Sequence, residues 1–279
     1  MAISTGADTT IGVARGWLSR LERFDVVGST NDLVMGWLRD GTPEVCIAIA
    51  DEQSAGRGRN GRTWTTPRGA SLLLSAGFRP TWLKPEQAWR LGAIVSLAMA
   101  AAAEEVAGAA AGTVRLKWPN DLVVDDAGDG PRKLAGVLGE TVGLGTATPM
   151  AVIGIGINVD WARRDFPTDL AATMTSLSEI AADRPVDRET LLASFLTQLE
   201  TLVADLRAGS FDGAAWRDRQ LTNDLPVRLE WPDGTAETVT AVSVDTDSGA
   251  LLVKSFDGSG PVRPVLVGEI RHLGVGGVV

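Results

Sequence analysis

Three arginines and three glycines fall within seven residues at Gly56-Arg57-Gly58-Arg59-Asn60-Gly61-Arg62, and Thr63-Trp64 follow. Guanidinium groups are fixed forks of donors suited to carboxylates and phosphates, and glycines let the backbone close on a ligand or take φ > 0. The stretch therefore reads as a mobile cationic lid over an anion. Gly56, Gly58 and Gly61 also match the G-x-G-x-x-G spacing of dinucleotide folds, where the turn passes into an apolar helix. Here Pro67 and Gly69 follow too soon for one. An RNA-binding arginine-glycine segment normally sits in a basic or disordered chain, and this one lies in an acidic chain. A solvated loop without a role is the plain alternative.

Two further stretches carry chemistry. Lys117-Trp118-Pro119-Asn120-Asp121 stands at a strand-to-strand junction, and Lys133 follows an acidic, glycine-containing run at 125–131. That run has the composition of an exposed connection between two strands. A lysine at such a place is often only a charged strand edge, and Asn120-Asp121 alone could be a turn. In Gly154-Ile155-Gly156-Ile157-Asn158-Val159 an apolar strand carries two glycines and then an amide. Glycine weakens a strand unless a ligand or another backbone must come close, the alternative being a bulge in a packed core.

The bulk composition narrows the chemistry. A net charge of -9 over 279 residues argues against general affinity for nucleic-acid backbones, so any nucleotide handled should be small. Cys46 is the only cysteine and His272 the only histidine, which excludes an intramolecular disulfide and a histidine-rich metal site. A Ser-His-Asp mechanism would rest on His272 alone. The first residues lack the basic flank and apolar run of a signal peptide. The longest apolar stretch, Ala93 to Ala103, is broken at Ser96 and too short to cross a bilayer. A cytoplasmic protein without a membrane partner is expected.

These residues need a scaffold. Ser29-Thr30-Asn31-Asp32 before Leu33, Met35, Trp37 and Leu38 predicts a helix to Arg39, with Ser29 or Thr30 as N-cap. Strands are expected at Val45 to Ala50, Ala70 to Phe78, Thr113 to Trp118, Leu122 to Asp125, Leu134 to Thr141 and Met150 to Val159. Helices are expected from Pro85 to Val106, Arg188 to Leu206 and Phe211 to Gln220. After Leu221 short alternating segments separated by Asp233-Gly234, Ser248-Gly249 and Asp257-Gly258 predict a small β-barrel. The fold class is α+β, a mixed sheet with helices followed by that barrel.

In their order and spacing, the blocks STND, DEQSAGRGRNGRTW, ASLLLS, VRLKWPNDL, RKLAGVLGE and GIGINV, with Gly268-Glu269-Ile270 near the end, resemble the biotin protein ligase family. The resemblance implies a catalytic domain like those of class II aminoacyl-tRNA synthetases, over residues 23–220 after a segment 1–22. It also implies an SH3-like barrel over 221–279. It implies ATP and biotin as substrates with Mg²⁺, no resident metal, and a biotin carboxyl carrier domain of an acyl-CoA or pyruvate carboxylase as partner. By the same resemblance Ser29, Thr30, Asn31 and Gln53 bond the ureido ring, and Arg57, Gly58 and Arg59 order over it. Lys133 approaches the carboxylate, while Lys117, Arg62 and Asn120 serve the nucleotide. Trp64 lies against adenine, Asn158 holds its polar edge, and Asp121 is base or orienter in transfer. About 28 residues precede Ser29, and a winged helix-turn-helix needs about twice as many, so no DNA binding is expected. Oligomeric state stays open, since sheet edges could pair or be blunted by charge. A lipoate or octanoyl ligase, and a non-catalytic nucleotide- or carrier-binding module on the same fold, are the rival readings.

Overall fold

The computed structural model describes residues 16–126, 130–274 and 277–278. Most of the expected N-terminal segment and the centre of the acidic run, 127–129, lie outside the described residues.

Seven strands form one mixed sheet. They are β1 (Arg20–Val27), β2 (Cys46–Gln53), β3 (Ser71–Phe78), β4 (Val114–Lys117), β5 (Asp121–Asp126), β6 (Gly130–Val142) and β7 (Met150–Asn158). Their order is β1-β2-β3-β7-β6-β5-β4, and only β1 with β2 is parallel. A parallel pair needs a crossover, and α1 (Thr30–Arg39) supplies it. Strand β1 was not foreseen, because its apolar residues alternate with Arg20, Glu22, Arg23 and Asp25 in the manner of a half-buried edge. It also runs across the expected boundary at residue 22.

The period of two along β2 assigns its faces. Val45, Ile47 and Ile49 join the main core, whereas Cys46 and Ala48 pack with Val34, Met35, Trp37 and Leu38 of α1. Burial pushes the Cys46 thiol up to about 11, so it is an inert packing group. The main core lies between the sheet and two long helices, α2 (Trp89–Ala107) and α4 (Arg188–Arg207). Alanine-rich α2 is buried on most sides, and it stops at Gly108, whose φ of 64° is the left-handed C-terminal conformation. Asp187 caps α4, accepting from the backbone N–H groups of Glu189 and Thr190. Between them come α3 (Leu177–Ile180) and, after α4, α5 (Gly213–Asp218), the latter shorter than its expected span.

The C-terminal strands are β8 (Leu225–Glu230), β9 (Ala236–Val244), β10 (Leu251–Ser255), β11 (Arg263–Val265), β12 (Glu269–Gly274) and β13 (Gly277–Val278). They pair antiparallel in the order β11-β10-β9-β8-β12-β13. Among the described residues β11 and β13 do not pair with each other, so the expected closed barrel is here an open sheet with Val227, Leu229, Ala241 and Val253 on its buried face. It abuts the larger sheet where Trp118 Nε1 donates to Gly249 O at 3.2 Å and Trp89 Nε1 to Asp247 O at 3.3 Å.

Candidate active site

A cavity of about 1260 Å³ opens between the large sheet, the arginine-glycine loop and β12, and every candidate residue named from the sequence lines it. Within it they fall into three groups.

The first group is buried and hydrogen-bonded to itself. Ser29 holds the N-cap position of α1 without a capping bond from its side chain. The Thr30 amide and hydroxyl both donate to Gln53 Oε1, at 2.8 and 3.0 Å. That leaves the Gln53 Nε2 donors without a protein acceptor among the described residues. Asn31 Nδ2 donates to Leu138 O at 3.3 Å, while Ser75 Oγ lies 2.6 Å from Asn31 Oδ1 and 2.7 Å from Thr30 Oγ1, its one proton serving either. Ser75 is fully buried and had no expected role.

The second group is the charged centre. Lys117 and Asp121 are partners across the β4–β5 turn, and Lys133 Nζ stands 2.7 Å from Asp121 Oδ1. The contact is an ion pair not aligned as a hydrogen bond. The acidic run extends the hairpin, which pairs out to Asp126 with Gly130, while a bulge between Leu122 and Val123 sets Lys133 opposite Val123. The Lys133 backbone is held on both sides by the segment before α3, its N–H donating to Thr173 O and its carbonyl accepting from Thr175 N. The same segment engages Asn158, whose Nδ2 donates to Thr175 O at 2.9 Å. Asn120 donates to Val137 O at 2.8 Å, so its amide braces the turn. Burial lowers the tendency of Lys117 to hold its proton, an effect that Asp121 opposes.

The glycines of β7 make room for side chains. A Cβ at Gly156 would lie 2.7 Å from Trp64 Nε1, one at Gly136 would lie 3.1 Å from the same indole, and one at Gly154 would overlap Asn31 Oδ1. Two side chains of this protein come close to these glycines, which also line the cavity. Trp64 thus forms a flat wall, with Lys133 Nζ 5.4 Å from its ring centroid.

The third group is the loop, and each of its arginines meets a protein acceptor. Arg57 takes Asp32 bidentately at 2.7 Å and Glu140 at 3.0 Å, and the Asp32 hydrogen bond raises its affinity for its proton. Arg62 donates to Glu269 at 2.5 Å, Asn60 to the same carboxylate at 2.9 Å, and Arg59 to Gly268 O at 3.3 Å. Burial acts on Arg59 in the opposite sense, lowering its proton affinity. The C-terminal sheet therefore pins the lid. Asp32, Ser75, Glu140 and Glu269 all stood inside the sequence blocks quoted above, but their pairing across distant segments leaves no local signal. His272, on β12, also lines the cavity.

A cavity with a polar pocket at one end, a lysine-aspartate pair at its centre and a cationic lid suits a carboxylate and a nucleotide. The model of the biotin/lipoate A/B protein ligase family matches residues 24–158. Over 95% of its length the chain is 33% identical to the biotin--[acetyl-CoA-carboxylase] ligase of Mycobacterium tuberculosis, covering 93% of that protein. It also resembles the solved biotin protein ligase from Aquifex aeolicus in complex with biotin and ATP, at 25% identity and a TM-score of 0.70, covering 91% of this chain and 98% of that one. The Leishmania major enzyme in complex with biotinyl-5-AMP is 27% identical with a TM-score of 0.54, covering 88% and 98% respectively. The chain belongs to the biotin protein ligase family.

Proposed function

We propose that this chain joins biotin to ATP, forming biotinyl-5′-AMP and pyrophosphate, and then transfers the biotinyl group to a lysine of a biotin carboxyl carrier domain. The single cavity that gathers the polar pocket, the Lys133–Asp121 pair and the lid carries the reading. The relatives' bound biotin, ATP and biotinyl-adenylate support it.

In the first step a carboxylate oxygen attacks the α-phosphorus and the bond to pyrophosphate breaks. A carboxylate is ionised at neutral pH, so no base is required and the demand is for positive charge. Lys133 and Lys117 supply it from the sheet, and Arg57, Arg59 and Arg62 from the lid once ligand anions replace their protein acceptors. In the second step the carrier's ε-amine attacks the acyl carbon and AMP leaves. The ammonium must first lose a proton, and Asp121 beside the acyl carbon is its acceptor or orienter. Ser29, Thr30, Asn31 and Gln53 suit a ring that both donates and accepts hydrogen bonds. A dithiolane or alkyl chain would call for an apolar wall instead.

Trp64 would flank the adenine, with Asn158 and Asn120 bracing that side. Mg²⁺ would come as the counter-ion of ATP, neutralising phosphate charge. We read residues 23–220 as the catalytic unit and 221–279 as an SH3-like unit that pins the lid. An acyl-CoA or pyruvate carboxylase would supply the carrier. Among the described residues no helix is long and apolar enough to cross a membrane.

Biotin-dependent exchange of pyrophosphate into ATP, followed by mass analysis of a carrier domain, tests both steps. Exchange with biotin and a mass gain of one biotinyl group are expected; exchange with lipoate instead would overturn the reading.

A further inference from the structure

His272 is unused by the chemistry above. Its ring lines the cavity beside Lys117, on the strand that pins the lid. Both ring nitrogens are shielded from water and neither has a hydrogen-bond partner. An imidazole in that state forfeits two hydrogen bonds, which folded proteins seldom leave unmade. Lys117, its neighbour, forms no ion pair or side-chain hydrogen bond among the described residues and is itself desolvated. Two basic groups side by side, the imidazole nitrogens shielded from water and the lysine half-buried, and both without a partner, make a socket whose missing component is an anion rich in acceptor oxygens.

Resting on the ligase reading, we propose that His272 and Lys117 together bind the pyrophosphate end of ATP, the imidazole turning about its Cβ–Cγ bond to present a nitrogen. The location fits. Lys117 is the register partner of Asp121 and lies next to the acyl-transfer centre, while the ureido pocket at Thr30 and Gln53 is built on other strands. The leaving group of the first step departs from that centre, and His272 stands close enough to Lys117 to feel its charge.

Burial and the Lys117 charge push the His272 pKa down to about 4, so the ring is neutral at pH 7 without ligand. Lys117 on β4, Asp121 on β5, Lys133 on β6, and Glu269 and Arg271 on β12 set the field at this end. A polyphosphate adds negative charge and raises the ring's proton affinity. The part of binding owed to His272 therefore strengthens as pH falls from the ligand-bound midpoint toward about 4.

The chain's single histidine makes the test direct. In protein without a polyhistidine tag, proton NMR of the one imidazole should show its midpoint rising by at least about one pH unit when inorganic pyrophosphate saturates. His272→Leu should weaken ATP and pyrophosphate about tenfold, the worth of a hydrogen bond to a charged group, with biotin affinity unchanged. His272→Gln should recover part of the loss and none of the pH dependence. An imidazole midpoint indifferent to pyrophosphate overturns the proposal, as does a His272→Leu defect confined to transfer from preformed biotinyl-adenylate. If the leucine variant fails to fold, the wild-type titration decides alone. Absence of biotin-dependent exchange in the wild type sinks the ligase reading instead, a result separate from the titration, which needs no biotin.

Discussion

Around Thr30, Asn31 and Ser75 the cavity wall is no more than 4% exposed and its polar atoms bond to one another. Around Arg57 and Arg62 the side chains are 38% and 64% exposed and are held by ion pairs. The two regions obey different energetics. A buried polar group left without a partner costs about 1–3 kcal/mol, so the pocket keeps one arrangement whether or not it is filled. An exposed ion pair contributes roughly 0–1 kcal/mol, so the lid can exchange Asp32 for the anion of a ligand at little cost. Selectivity belongs to the rigid end and capture to the exchangeable one.

The largest effect is expected where the two regions meet. Lys133→Ala should slow pyrophosphate exchange by about a hundredfold or more, the scale of losing a preorganised charge at a reacting centre. Asp121→Ala should instead block biotin transfer to a carrier while sparing much of the exchange. Wild-type rates in both variants would refute the assignment of the centre. Next come the glycines of β7. Gly156→Ala drives a methyl into the Trp64 indole and Gly154→Ala one into the Asn31 amide. The first should weaken ATP and the second biotin, each by tenfold or more in calorimetry. If each variant weakened both ligands equally, the separation of the two ends would be lost.

Ser75→Ala tests the rigid end alone. It leaves Asn31 Oδ1 without its donor, and biotin affinity should fall about tenfold, equivalent to ~1.4 kcal/mol; an unchanged dissociation constant would show that the hydroxyl matters only to packing. The smallest change is expected in the lid. Asp32→Asn removes one of two carboxylates from Arg57, and biotinyl-adenylate should dissociate at a rate altered by less than about fivefold, the ceiling for an exposed pair. Arg57→Ala should speed that release more, because the guanidinium itself is gone. Rapid-mixing measurements would rank the two, and the reverse order would contradict an exchangeable lid.

Much of this was present in the chain's local patterns. The compact apolar run from Val45 to Ala50 and the spacing of Leu33, Met35, Trp37 and Leu38 after Ser29 predict elements that carry the site, because burial leaves a local pattern of apolar residues. The blocks around Ser29, Gly56, Lys117, Lys133 and Gly154 name the groups that line the cavity. Strand β1 escaped because its alternation is diluted by charge, and its pairing depends on β2 rather than on its own residues.

What the sequence by itself determined is the inventory of chemistry: an acidic chain with one cationic loop, two lysines and an aspartate near strand ends, and a single histidine. Only the tertiary structure decided which of these groups meet. It paired Arg57 with Asp32 and Glu140, Arg62 with Glu269 some two hundred positions along the chain, and β7's glycines with Trp64 and Asn31. It also left His272 beside Lys117 without a partner. Such pairings depend on distance in space between segments whose local patterns are independent, so no spacing within either segment encodes them.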